Sequence, residues 1–182
     1  ALDGHLDGIE RDRLLTLWPK PLVPKTRKWV DENLLEAKLQ NVHATLRADA
    51  GSKPDTHLSF EFSDAKIRFV KTMPPIEKAA GNASILRNRF SVTADGGYVQ
   101  AAQGGQVKIA GTSFIVPDIT VKDGTPGVAR LRTDSTITAI LSLLDQKPLE
   151  VMRKAGLSPT IVDGRAVLEG SMAMPMKKGV KP

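Results

Sequence analysis

The chain contains no cysteine among its 182 residues. That excludes disulfides, thiolate zinc sites and a thiol nucleophile, and it leaves the redox compartment open. Aromatic residues are scarce, at 4%. Proteins that stack nucleic-acid bases interleave aromatics with basic residues, so this composition argues against a nucleic-acid partner. No apolar run approaches the length needed to span a bilayer. Nor is there a block of one charge. Lys and Arg number 26 against 20 acids, a net charge of +6, but the charges are spread along the chain. The excess favours anionic partners such as phospholipid headgroups, although most of these residues are expected on a solvated face.

Catalytic constellations are missing too. The three histidines, His5, His43 and His57, lie far apart and have no metal-ligand spacing. They are expected to face solvent from strands, with His43 and His57 able to face each other across a hairpin. Ser63-Asp64-Ala65-Lys66 has the Ser-x-x-Lys spacing of some acyl-enzymes. That chemistry needs a helix, whereas a period of two puts Ser63 and Lys66 on opposite strand faces. Gly111-Thr112-Ser113 lacks the second glycine of a nucleophile elbow, and Gly96-Gly97 and Gly104-Gly105 form no phosphate loop. No acid pair is spaced for general acid–base work. The expectation is a protein that is not an enzyme, with no cofactor and no metal.

What is present is a phrase that occurs twice. Leu14, Leu17 and Lys20-Pro21-Leu22 lead through a short basic stretch to a strand carrying Ala44 and Leu46. Leu141, Leu144 and Lys147-Pro148-Leu149 lead in the same way to Ala166 and Leu168. The strand part recurs at a shorter spacing, as if a loop had lost residues in the second copy. Self-similarity of this kind marks a repetitive architecture. The organisation expected from it is the end of one unit with a junction helix (1–34), a β-sheet repeat (35–133), junction helices (134–157) and the first strand of the next repeat (158–182). Ala1 and the tail Lys177-Lys178-Gly179-Val180-Lys181-Pro182 suggest a piece of a longer protein.

Between the copies the period is two. Residues 1–12 read as turn-rich, with Asp3-Gly4 and Asp7-Gly8, and 13–18 as a short apolar stretch. Pro24 opens a helix through Asn33. Leu35, Ala37 and Leu39 alternate with polar residues, and Val42, Ala44 and Leu46 continue after a bulge. Leu58, Phe60 and Phe62 share one strand face, followed by Ala65, Ile67 and Phe69. Such alternation marks antiparallel strands with one apolar and one wet face. Residues 83–94 read as a single strand, and Asp95-Gly96-Gly97 as a tight turn. Further strands are expected over 98–103, 106–110, 114–121 and 128–133. Asp134 is expected to cap a helix with Ile137, Ile140, Leu141 and Leu144 in one stripe. Pro148 then opens a second helix closed by Gly156, and 165–173 is the last strand. The fold class is mainly β (α+β), an antiparallel, twisted, one-sided sheet with short helices at the repeat junctions.

This order resembles the bacterial AsmA-like family, including its TamB and YhdP branches. The resemblance rests on Leu17-Trp18-Pro19 with Trp29-Val30, Leu39 to Leu46, Ile67 to Phe69, Gly81-Asn82-Ala83 to Phe90, Lys147-Pro148-Leu149 to Gly156-Leu157, and Asp163-Gly164-Arg165-Ala166. It implies a sheet curled into a trough or half-barrel, part of an inner-membrane-anchored protein in the periplasm of a Gram-negative bacterium. Its partners would be phospholipid acyl chains, neighbouring repeats of the same polypeptide and envelope proteins. The groove candidates are Leu58, Phe60, Phe62, Ile67, Phe69, Phe90, Val92 and Phe114. Candidates for a headgroup rim are Lys66, Arg68, Arg87 and Arg89. A competing reading makes the same apolar residues the core of a closed β-sandwich, a scaffold that contacts protein or cell-envelope polymer. A third, a hydrolase, would need His43 or His57 beside an acid in a polar cleft.

Overall fold

The period of two is realised as one antiparallel meander. The computed structural model describes residues 2–18, 20, 24–47, 55–121 and 126–175. In chain order the elements are β1 (Leu2–Glu10), α1 (Arg11–Leu17), α2 (Pro24–Asn33), β2 (Leu34–Arg47), β3 (Asp55–Ile67), β4 (Ile76–Leu86) and β5 (Arg89–Gln100). Then follow β6 (Gln106–Lys108), β7 (Ser113–Val116), β8 (Pro126–Thr136), α3 (Ile137–Leu144), α4 (Val151–Lys154) and β9 (Arg165–Pro175). All nine strands belong to a single sheet that is not a closed barrel. Among the described residues, no helix is long and apolar enough to cross a membrane.

The two shortest strands, β6 and β7, both lie between β5 and β8, so they act as halves of one interrupted strand. The interruption stays bonded to its neighbours. Gly111 N–H donates to the Ala94 carbonyl (2.8 Å), and Ala94 N–H donates to that of Thr112 (2.8 Å). The Thr112 hydroxyl donates to the Arg132 carbonyl (2.9 Å) and accepts from Arg132 N–H (3.0 Å).

Bulges shape the sheet. Asn41, Asp64 and Lys78 have φ of 49°, 50° and 51°, and each sits at a register shift in one of three adjacent strands. An extra residue bends its strand, sharpens the twist and resets the alternation. The reset places Ser63 and Lys66 on the same face, opposite Lys38 and Glu36, rather than on opposite faces as a regular strand would. They remain on a strand, and Lys66 Nζ lies 3.4 Å from Glu77 Oε1.

Other local expectations are corrected. The turn-rich residues 2–10 form strand β1, because β2 offers a complete ladder partner from Leu46 to Lys38. Residues 83–94 are not one strand. Arg87 and Asn88, with φ of 47° and 64°, make a two-residue hairpin between β4 and β5, the left-handed pair that a hairpin of matched twist requires. Asp95-Gly96-Gly97 is no turn, since β5 runs through it. Thr136, not Asp134, caps α3 by accepting from Ala139 N–H at 3.1 Å. Asp134 instead meets Arg165 across the β8–β9 ladder at 2.8 Å. Pro148 does not open α4, which begins at Val151 and is a single turn.

The same order, strand–helix–helix–strand, occurs at both ends of the sheet: β1-α1-α2-β2 and β8-α3-α4-β9. Pro21 and Leu22 of the first Lys-Pro-Leu lie outside the described residues. The matched strand residues are not equivalent in space. Ala166 is the second residue of β9 and pairs with Ser135 beside α3, whereas Ala44 lies deep in β2 and pairs with Gly4.

Buried apolar residues form two small clusters. One joins Ala37, Leu39, Phe62, Ala65 and Ala79, with Ile9, Leu14, Leu34 and Ile67 against it. The other sets Ala139 of α3 on Ala101 and Val107, with Ile140 and Leu143 beside them. Thus α3 buries Ala139 and Ser142 rather than the expected Ile137–Leu144 stripe. Small residues fit there because the helix start lies on the Gly104 turn. A Cβ on Gly104 would stand 2.4 Å from Ala139 N.

Candidate functional site

Registers across the sheet place the apolar side chains in continuous rows on one face. One row runs Phe60, Ala83, Val92, Phe114, Ala129 and Met172 from β3 to β9. Beside it lie Ala44, Leu58, Ile85, Phe90 and Val116. A third comprises Ile9, Leu39, Phe62, Gly81 and Ala94. Gly81 is required there, because a Cβ would stand 2.0 Å from the Thr93 carbonyl oxygen and 3.0 Å from the Phe62 ring.

These rows differ in cover. The third is sealed by its own neighbours and by Leu14 from α1, and Phe62 is 8% exposed. The first two are covered only in part: Ala83, Val116 and Ala129 within them are buried, and their other members are half-buried or exposed. Among the described residues, the close backbone neighbours of each strand are its ladder partners and the short helices at the two ends. Leu58, Phe60, Phe90, Val92 and Phe114 are accordingly half-buried. Leu6, at 51% exposure, and Met172, at 46%, carry the apolar face to both outer strands. Among the described residues, β1 and β9 each pair with a single neighbouring strand.

Seven of the eight groove candidates therefore share this face: Leu58, Phe60, Phe62, Ile67, Phe90, Val92 and Phe114. Phe62 belongs to the sealed cluster, and Ile67, Phe60 and Val92 pack against it. Phe69 lies beyond the end of β3 and is exposed. Leu6, Val116 and Met172 join the face through the register alone, together with Val42 and Ile85, which alternation places on apolar strand faces but which were not groove candidates. The rim candidates divide between opposite strand ends. Arg87 and Arg89 stand at the β4–β5 hairpin, while Lys66 and Arg68 stand at the far end of β3.

The opposite face is polar and cross-linked over β2 to β5, and carries Ile115, Val128 and Ala173 further across the sheet. Asp64 lies 3.1 Å from Lys38 Nζ and 3.4 Å from Lys78 Nζ, joining β2, β3 and β4 at their bulges. Hydrogen bonding from Lys38, with the charge of Lys78, holds its carboxyl below the ordinary value of 3.8. Asn41 donates to Glu61 (3.0 Å), and the hydroxyls of Ser84 and Ser91 meet at 3.0 Å. An open hollow of about 430 Å³ lies here, among His43, Ser59, Glu61, Asn82 and Ser84. A second, of about 370 Å³, lies beside α3, among Thr72, Gln103, Ser142, Asp145 and Arg153. All three histidines are on the polar face, but His43 and His57 do not oppose each other. His43 pairs with Ser59, and His57 with Thr45. Among the described residues, no group of three or more His, Asp or Glu could hold a metal ion.

Comparison with known proteins gives no relative. No family profile, no characterised protein and no solved structure matches the chain.

Proposed function

We propose that the chain is a non-catalytic segment of an AsmA-like, inner-membrane-anchored periplasmic protein, and that its apolar face guides phospholipid acyl chains between the inner and outer membranes. The observation that supports this reading is the pair of apolar rows through Phe60 and Phe90, which crosses the sheet with most of its side chains only half-buried among the described residues. A one-sided sheet must hide its apolar face against something. An acyl chain suits that role, because each buried methylene contributes about 0.8 kcal/mol and no fixed polar partner is needed. Guidance along such a surface is passive, and headgroups would stay in water at the two strand ends, near Arg87 at one and Arg68 at the other, while Lys66 and Arg89 point to the opposite face.

The test is native mass spectrometry with lipid extraction from the purified chain. Phospholipid is expected to co-purify and to be lost in Phe60→Asp with the far-ultraviolet circular dichroism unchanged. A chain that is lipid-free and refuses added phospholipid would sink this reading and favour a scaffold that contacts protein or envelope polymer.

A further inference from the structure

On the polar face, His5 of β1 stands directly opposite His43 of β2. Their ring centroids are 4.3 Å apart, with the planes tilted by 40°. His5 Nε2–H donates to Asp7 Oδ1 at 2.9 Å. We propose that this pair is a two-imidazole binding site for a divalent transition-metal ion, with Cu²⁺ held more tightly than Zn²⁺.

The spacing is that of two imidazoles on one metal. Metal–nitrogen bonds of about 2.0–2.1 Å put each ring centroid roughly 3.1–3.2 Å from the ion, so two rings at the right angle of a tetragonal Cu²⁺ site stand about 4.4–4.5 Å apart, against about 5.1 Å at the tetrahedral angle usual for Zn²⁺. The observed separation falls within a few tenths of an ångström of the former. Directly opposed residues on antiparallel strands keep their Cβ atoms about 4.5–5.5 Å apart, so the ladder fixes the pair. Asp7 acts on the orientation. By accepting the Nε2 proton of His5 it leaves Nδ1 free to bind the ion, the second-shell arrangement metal-bound histidines usually have. The His5 side chain is 46% exposed, which leaves room for the water ligands that two imidazoles do not supply. Neutral imidazole suits Cu²⁺ and Zn²⁺, and the general affinity order for such donors places Cu²⁺ first. His57 shares the face but pairs with Thr45, so it is not assigned to the site.

The experiment is isothermal titration calorimetry of the chain with CuCl₂ and ZnCl₂ near neutral pH, with the N-terminal amine acetylated to remove a competing ligand. One ion per chain is expected, with Cu²⁺ the tighter. His5→Asn or His43→Asn should each lose it, His57→Asn should keep it, and Asp7→Asn should weaken it by about 10- to 100-fold. Circular dichroism checks that each variant keeps the sheet. Absence of binding by both ions, binding that survives His5→Asn or His43→Asn, or loss in His57→Asn would each overturn the site. An Asp7→Asn chain that binds as tightly as the unaltered one would overturn the orienting role of Asp7.

Discussion

Replacing Gly104 by alanine tests how α3 is fixed to the sheet. Gly104 has φ of +81°, and its carbonyl accepts from the Thr136 hydroxyl at 2.8 Å. The same Thr136 oxygen caps α3 by accepting from Ala139 N–H. A new Cβ would stand 2.4 Å from Ala139 N and 2.8 Å from Thr136 Oγ1, both held by the cap. Left-handed backbone costs alanine about 1–2 kcal/mol. Pushing the cap away should cost about 1 kcal/mol more, and opening the contact of Ala139 with Ala101 and Val107 adds further loss. The expected total is about 3 kcal/mol. Gly105 is the control: its φ is +96°, but a Cβ there meets nothing within 4 Å. Gly105→Ala should therefore cost only the backbone strain, about 1–2 kcal/mol. Urea unfolding followed by circular dichroism measures both. Equal losses for the two variants would refute the reasoning, because the close approach to α3 would then contribute nothing.

Two further expectations follow from burial and charge. Phe62→Ala opens the sealed cluster and should cost about 3–4 kcal/mol, whereas Phe60→Ala on the half-buried row should cost about 1–2 kcal/mol; urea midpoints that rank the two the other way would contradict the assignment of cover. Asp64 titrates below 3.8 when folded, because Lys38 and Lys78 favour its carboxylate. Its contribution is therefore present above the unfolded value and lost as pH falls through the folded one. Asp64→Asn should lower the urea midpoint above about pH 5 and converge with the unaltered chain in stronger acid, while a gap that widens in acid would reverse that sign.

The sequence was most informative where alternation was regular. The Leu58-Phe60-Phe62 strand, the Pro24 helix and the one-sided antiparallel sheet are local consequences of period and proline placement. The bulges were harder. The step of the apolar set from Leu39 to Val42 marks the bulge at Asn41, whereas Asp64 and Lys78 carry left-handed backbone without a glycine to mark it. The β4–β5 hairpin hides for the same reason, because Arg87-Asn88 replaces the usual Asn-Gly pair. In β1, Asp-Gly pairs read as turns because a strand stabilised by its partner shows little propensity of its own. The apolar rows and the His5–His43 pair are products of cross-strand register, which a single sequence does not contain. Burial of Ala139 and Ser142 instead of leucines depends on the close turn at Gly104, another contact distant in sequence.

The central claim, that phospholipid lies on the apolar face, is tested most directly by photo-crosslinking from chosen positions. A photoreactive amino acid at Val92 or Phe114 faces the apolar row, and the same residue at Ser91 or Thr93 faces the polar side one step away. After incubation with phospholipid vesicles, the account predicts lipid adducts by mass spectrometry from Val92 and Phe114 and none from Ser91 and Thr93. Adducts of equal yield from both faces, or none from Val92 and Phe114, would contradict it.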